Sequence, residues 1–117
     1  MTDKLALGVR LRESDLPLVS RGGGASTTRL VNRSIGAKTI LNGITNIPPC
    51  GAIPLHYHNC EESVLVLSGD GIAVLGNDEV QVTSGDVTWI PPELPHQFKN
   101  SSDHDTLRIF WTYASST

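Results

Sequence analysis

The most informative stretch of this chain is Pro54-Leu55-His56-Tyr57-His58-Asn59-Cys60-Glu61-Glu62. Side chains of an extended strand alternate between two faces, so we expect His56 and His58 on the same face, about 6.5–7 Å apart. After a short turn, the carboxylate of Glu62 can converge on the same point. Imidazole and carboxylate are common ligands of divalent transition metals. The stretch therefore predicts part of a metal site.

A further ligand must come from elsewhere in the chain, because protein metal sites use three or four protein ligands. His96 is the best candidate. Pro91, Pro92 and Pro95 stiffen the segment that leads to it, which reduces the entropy lost when the ligand is positioned. His104 lies in the polar segment 101–105 and is expected to be solvated.

The spacing of these residues resembles the two sequence motifs of the cupin family. The first motif is matched by Gly51, His56, His58, Glu62 and Gly69. The second motif is matched by Gly85, Pro91, His96 and Asn100. The chain departs from the pattern twice: Gly51 lies one residue closer to His56, and Glu93 replaces the middle glycine of the second motif.

The resemblance implies a small single-domain cupin of the RmlC-like superfamily. Its fold would be all-β, a single double-stranded β-helix or jelly-roll barrel. One divalent transition metal ion, Fe, Mn, Ni, Cu or Zn, would be held by His56, His58, Glu62 and His96. We expect residues 26–117 to form the barrel and residues 1–25 to form an N-terminal arm. Apolar residues alternate in that arm, which favours an edge strand or a strand exchanged with a partner: Leu5, Leu7, Val9 and Leu11.

Short apolar runs separated by Gly and Pro predict an all-β barrel or sandwich independently of the resemblance. The expected strands cover 28–32, 38–47, 53–58, 63–67, 71–75, 79–83, 87–90 and 106–113. We expect the apolar run 63–67 to be buried on both faces. The cluster Gly76-Asn77-Asp78 predicts a hairpin, and the three glycines that open segment 22–28 predict a loop.

Composition limits the partners and the compartment. The chain has 117 residues and a net charge of −3, with its nine Lys and Arg residues scattered. This pattern predicts no nucleic-acid partner, and the absence of an apolar run of about 20 residues predicts no membrane partner. Cys50 and Cys60 do not form a Cys-x-x-Cys pair, so we expect reduced thiols and a cytoplasmic protein.

Several side chains near the predicted ligands are candidates for a substrate pocket. Phe98 has the parity of His96 and should form an apolar wall beside the metal. Trp111 shares the inner face of strand 106–113, where it is a pocket or core residue, and Trp89 is interpreted in the same way, with core favoured for both. Cys60 is either a pocket thiol or a small buried filler. Glu61 should point away from Glu62 into solvent, and Glu93 should be exposed.

The charge of the predicted site constrains its chemistry. A divalent ion with three neutral imidazoles and one carboxylate has a net charge of about +1, which favours anionic oxygen donors. We therefore expect a metal-dependent enzyme acting on a small anionic or oxygenated organic substrate, with Glu62 as the catalytic base. An oxygenase is the first hypothesis. A redox-neutral isomerase, lyase or decarboxylase and a non-catalytic binding or sensing module are the alternatives, and a homodimer is expected because edge strands need covering.

Overall fold

Nine β-strands form the framework of the computed structural model, which describes residues 7–115. They are β1 Val19–Gly22, β2 Ala25–Arg29, β3 Leu41–Ile47, β4 Glu62–Ser68, β5 Asp70–Leu75, β6 Asp78–Thr83, β7 Val87–Ile90, β8 His96–Asn100 and β9 Leu107–Tyr113. Two short 3₁₀ turns, Glu13–Asp15 and Arg33–Ile35, are the only helical elements among the described residues. The all-β prediction is confirmed.

The strands form two antiparallel sheets that pack against each other as a jelly-roll barrel. The larger sheet has the order β1-β2-β3-β9-β4-β7, and the smaller sheet has the order β6-β5-β8. One continuous apolar core includes residues of both sheets: Ala25, Ile47, Ile53, Val64, Val66, Ala73, Val82, Ile90, Phe98, Leu107, Ile109 and Trp111. The inner face expected for Trp111 in segment 106–113 is confirmed: β9 alternates, with Leu107, Ile109 and Trp111 buried while Arg108 is partly exposed.

The residues of the second motif hold loops in place around the site. Asn100 donates through Nδ2 to the carbonyl groups of Ile47, Pro48 and Asp105. Glu93 is exposed, as predicted, and its backbone has a φ of 69°, the left-handed region that glycine occupies most easily. Its N–H donates to the carbonyl of His58 at 2.6 Å, which ties the proline-rich turn to the histidine stretch.

Four local predictions are wrong, the first of them the strand expected over 28–32, because the strand in this region is Ala25–Arg29. Segment 53–58 is not a regular strand, because Pro54 has no N–H to donate to a ladder. Only His56 within it makes an isolated bridge, and a second bridge lies just before it at Ala52. Residues 25–28 form most of β2 rather than a loop, since the threonines Thr27 and Thr28 fit a buried, pleated surface. The run 63–67 is buried on one face only, with Ser63 exposed.

The hairpin prediction at Gly76 is confirmed, because β5 and β6 pair across a two-residue turn. The region expected to be an arm contains β1, which pairs with β2 at one edge of the larger sheet. Residues 7–12 belong to no strand of this chain, and Leu5 lies outside the described residues. Exchange of this segment with a partner stays a prediction.

Candidate metal centre

His56 and His96 face each other across a two-way backbone bridge. The N–H of His56 donates to the carbonyl of His96 at 3.1 Å, and the reverse bond measures 2.8 Å. His96 is the first residue of β8, so this bridge fixes the histidine stretch against the smaller sheet. The ring centroids lie 4.3 Å apart for His56 and His96, 4.8 Å for His56 and His58, and 5.3 Å for His58 and His96.

Glu62 enters the same space from the larger sheet. It is the first residue of β4 and is only 6% exposed. Its Oε1 lies 2.9 Å from Nε2 of His96 and 3.6 Å from Nε2 of His58. One ligand atom from each of the residues His56, His58, Glu62 and His96 can be chosen so that all four lie within 4.8 Å of one another. The four predicted ligands are therefore brought together.

Backbone carbonyl groups orient two of the imidazole rings. Nδ1 of His56 lies 2.7 Å from the carbonyl oxygen of Pro54, and Nδ1 of His96 lies 2.9 Å from that of Leu94. A carbonyl oxygen can only accept a hydrogen bond, so each Nδ1 carries a hydrogen and each neutral ring presents a lone pair at Nε2. A bond of this kind to the distal ring nitrogen is the usual support of a metal-binding histidine.

Three buried polar atoms of the cluster fit a metal ion. Nε2 of His58, Nε2 of His96 and Oε1 of Glu62 have no well-aligned hydrogen-bond partner among the described residues. The close approach of His96 Nε2 to Glu62 Oε1 thus lacks the alignment of a hydrogen bond, although it is short. Buried groups without partners are costly, and a cation bound by these lone pairs removes that cost. The residues present fit one divalent ion.

The protonation states follow from burial and from Glu62. Burial lowers the pKa of His56 and of His58, and it outweighs the opposing effects of Pro54 and Glu62. Burial also acts to lower the pKa of His96, but the nearby carboxylate of Glu62, together with the Leu94 carbonyl, raises it overall. Without metal, His56 and His58 are the readier ligands, and His96 retains a proton to higher pH.

Tyr113 lines one side of the site, although the sequence analysis did not identify it as a site residue. Its ring centroid lies 4.3 Å from that of His58 and 4.9 Å from that of Trp111. Burial, followed by the charge of Glu62, raises the pKa of the Tyr113 hydroxyl, so the group stays neutral. The available signal was its parity with Trp111 in β9, but the contact with His58 depends on the pairing of Tyr113 with Glu62 across β4 and β9.

The three side chains predicted to line a substrate pocket are buried to different extents. Phe98 is 1% exposed and belongs to the core. Trp111 is also buried, and its Nε1 donates to Oγ1 of Thr45 at 2.8 Å. Cys60 is half-buried, and the pKa of its thiol is raised by burial and then by Glu62. Contact of these three side chains with a substrate stays a prediction.

The predicted exposure of Glu61 and His104 agrees with the structure, whereas the predicted core position of Trp89 does not. Glu61 is exposed and points away from the cluster, and His104 is exposed between Asp103 and Asp105. The expectation of a core position for Trp89 is wrong, because Ile90 rather than Trp89 faces inward on β7. Trp89 is 61% exposed and donates through Nε1 to Oε1 of Glu61 at 2.9 Å.

A surface groove reaches the cluster from the outside. It has a volume of about 320 Å³, and its lining includes Glu62, Trp89, Thr112 and Tyr113. A larger cavity of about 440 Å³, which includes Asp70 and Asp86, lies at the opposite end of β5 and contains none of the four ligands. A third cavity, of about 710 Å³, includes Leu55, Leu94 and Pro95, which flank His56 and His96 in the chain, but none of the four predicted ligands. Of these three cavities, only the groove beside Tyr113 includes one of them, Glu62.

The fold and the cluster define a β-barrel with a histidine–glutamate metal-site arrangement. Residues 43–113 match the cupin domain family, and the chain belongs to that family. Among curated relatives, auxin-binding protein 4 of Zea mays is 32% identical over 83 residues, which cover 63% of this chain and 41% of that protein. Protein SchB of Streptomyces halstedii is 29% identical over 97 residues, which cover 82% of this chain and 70% of that protein.

Solved structures share the same fold. The polyketide cyclase RemF from Streptomyces resistomycificus superposes with a TM-score of 0.82 at 23% identity, covering 95% of this chain and 81% of that one. A predicted oxalate decarboxylase from Thermotoga maritima superposes with a TM-score of 0.80 at 23% identity, covering 92% and 99%. The chain spans only about two fifths of the length of the maize relative. No helix within residues 7–115 has the length and apolar character needed to cross a membrane.

Proposed function

We propose that the protein is a metal-dependent enzyme that acts on a small anionic or oxygenated organic substrate. One observation carries the proposal: the ligand atoms of His56, His58, Glu62 and His96 converge, and three of them are buried without a hydrogen-bond partner. Fe, Mn, Ni, Cu and Zn all accept imidazole and carboxylate ligands. Four protein ligands leave one or two positions of a five- or six-coordinate ion open for a substrate.

The bound ion would supply Lewis-acid polarisation of a substrate oxygen or, if redox-active, oxygen chemistry. The protein residues have separate tasks. Tyr113 packs against His58 at one side of the cluster, and Trp111 packs behind Tyr113. Glu62 is the carboxylate of the cluster, so it is the candidate acceptor for a substrate proton as well as a ligand. The groove of about 320 Å³ beside Glu62 is large enough for a small organic molecule.

An oxygenase remains the first candidate for the reaction, because adjacent open positions suit joint binding of substrate and oxygen. Redox-neutral chemistry is the second candidate. It is supported by the position of Glu62 at both the cluster and the groove, and by the names of two proteins with this fold, a cyclase and a predicted decarboxylase. A binding or sensing role is the third, in keeping with the name of the maize auxin-binding relative.

Turnover with and without oxygen tests these candidates. Protein purified without chelators would be loaded separately with each of the five ions and incubated with a panel of small carboxylic acids, enols and phenols. Proton NMR would follow the substrates, and an oxygen electrode would follow oxygen in parallel samples. Turnover in air alone supports the oxygenase, and turnover that persists under argon supports redox-neutral chemistry. If these compounds raise the melting temperature of every metal-loaded form but none of them is converted, the enzyme proposal is overturned.

The cytoplasmic location and the homodimer are also proposals. Cys50 and Cys60 are free thiols, which supports a reducing compartment. Exposed apolar side chains on β7 and on the arm support self-association, namely Val87, Trp89, Leu7 and Val9.

A further inference from the structure

Tyr113 and Glu62 enter the barrel side by side. They are paired directly across β9 and β4, and paired residues of an antiparallel ladder point to the same face with their Cβ atoms about 4.5–5.5 Å apart. The carboxylate of Glu62 reaches the Nε2 atoms of His58 and His96, so the Tyr113 side chain borders the same space. Both residues also line the groove of about 320 Å³. Tyr113 therefore belongs to the cluster and to its approach.

Two aromatic neighbours hold the ring of Tyr113 in place. Its centroid lies 4.3 Å from that of His58 and 4.9 Å from that of Trp111. The indole of Trp111 is itself fixed, because its Nε1 donates to Oγ1 of Thr45 at 2.8 Å. The indole also packs closely on Gly43, where a Cβ atom would lie 2.6 Å from Cζ2 of Trp111. The Tyr113 ring is thus held between a fixed indole and a predicted metal ligand.

The hydroxyl of Tyr113 has no partner in the protein. Within residues 7–115 it makes no hydrogen bond, although the side chain is partly buried. Tyrosine hydroxyls in such surroundings usually find a partner. The oxygen is not enclosed either, in contrast to Nε2 of His58 and Nε2 of His96, so it stays in contact with solvent. A small molecule that binds beside the cluster can therefore meet a positioned and unused hydroxyl.

Any molecule bound at the metal centre must lie in the space that the four ligands leave open. Tyr113 borders that space beside His58, and Glu62 lies next to it on the neighbouring strand. A phenol is ordinarily protonated at neutral pH, and its O–H can donate one hydrogen bond. A donor placed where negative charge develops on a substrate oxygen stabilises that charge.

We propose that the Tyr113 hydroxyl donates a hydrogen bond to a substrate oxygen bound at the metal centre, which makes Tyr113 a catalytic residue. The inference rests on the proposed function and adds a residue to its site. Glu62 and Tyr113 then have opposite tasks, since the carboxylate accepts a proton from the substrate while the hydroxyl stabilises the oxygen that becomes negative. Substrates whose oxygen gains charge, such as those that form an enolate or a phenolate, benefit most.

The test measures binding of two small probes to the full chain loaded with cobalt(II), whose visible absorption reports on its ligands. Acetohydroxamate binds a metal as an anion through oxygen, whereas 1-methylimidazole binds as a neutral molecule through nitrogen and presents no oxygen. Tyr113→Phe removes the hydroxyl and keeps the ring between His58 and Trp111. Tyr57→Phe is the matched control, because Tyr57 is 67% exposed. Absorption titrations give the affinities, and metal analysis gives the cobalt content of each variant.

Tyr113→Phe should weaken acetohydroxamate about 10-fold or more, the scale of one lost hydrogen bond to a charged group. Its cobalt content and its affinity for 1-methylimidazole should match the wild type, and Tyr57→Phe should match it throughout. Unchanged acetohydroxamate affinity, equal loss for both probes, loss of cobalt from Tyr113→Phe, or no acetohydroxamate binding by the cobalt-loaded wild type each overturns this inference and leaves the proposed function standing. Failure of the wild type to hold cobalt or any of the other ions overturns the proposed function itself.

Discussion

Nε2 of His96 lies 2.9 Å from Oε1 of Glu62, and the two side chains come from different sheets of the barrel. His96 begins β8 of the smaller sheet, and Glu62 begins β4 of the larger one. Both are buried, and their facing atoms have no aligned hydrogen-bond partner among the described residues. A metal ion bound here would therefore connect the two sheets and, under the proposed function, serve as the reaction centre.

Removal of the metal should destabilise the protein for this reason. An ion that binds only the folded state at 100 times its dissociation constant stabilises that state by about 2.7 kcal/mol. For a chain of this size, each kcal/mol moves the melting temperature by roughly 4 °C, so chelation should lower Tm by about 10 °C. Differential scanning calorimetry with and without EDTA measures the shift, and re-addition of the ion should restore it. An unchanged Tm would contradict the connection between the sheets.

Metal affinity should rise with pH because of His96. Metal ligands must give up their protons, and the pKa of His96 is raised above 6.5, mainly by Glu62 acting against burial. Below that raised pKa, the ion must displace a proton, and affinity should fall about 10-fold per pH unit. Above it, affinity should level off, since the pKa values of His56 and His58 are lowered. Titrations from about pH 5.5 to about pH 8.5 measure this slope, and a flat profile would contradict the assignment.

Replacement of Glu62 should separate its two roles. Glu62→Gln keeps the size and an oxygen ligand but removes the charge and the base. If Glu62 takes a proton from the substrate, kcat should fall about 10²-fold or more. Glu79→Gln is the matched control, because Glu79 is an exposed carboxylate on β6 of the smaller sheet, pairs only loosely with Lys99 at 3.8 Å and does not line the groove. A fully metallated Glu62→Gln protein with nearly normal kcat would mean that the centre acts by polarisation alone.

The protein should form a homodimer in solution. Val87, Trp89 and the arm residues Leu7 and Val9 expose apolar surface, and β1 and β7 are the edge strands of the larger sheet. Covering such edges and apolar surface is favourable. Sedimentation equilibrium should give about twice the chain mass of 12.6 kDa, and Trp89→Lys should shift the distribution toward the monomer. A wild-type mass equal to that of one chain at all concentrations would end this prediction.

Local patterns were sufficient to predict which four side chains form the cluster, and to predict most of the strands. The His-x-His pair and Glu62 belong to one short stretch, and His96 follows a proline-rich segment. The alternation of buried and partly exposed side chains in β9 indicates one buried face. The Gly76 hairpin is equally local. Each of these predictions depends on residues within one element or on a spacing that the two motifs define.

The remaining features depend on contacts between distant segments. Pairing of Glu62 with Tyr113 brings the tyrosine against His58, and no local pattern shows which strands pair. The close packing of the β1–β2 turn on Ala52 likewise joins segments that are distant in the sequence. Trp89 was misassigned because apolar side chains on the outer face of a sheet have the same period as those on the inner face.

The metal content of three purified proteins tests the central claim most directly. Wild type, His96→Ala and His104→Ala would be prepared identically without chelators and examined by inductively coupled plasma mass spectrometry. His104 is the matched control, because it is exposed and bonded to its acidic neighbours. Wild type and His104→Ala should each carry close to one divalent transition metal ion per chain, and His96→Ala should lose it. Full metal in His96→Ala, or none in the wild type after exposure to all five ions, would contradict the account.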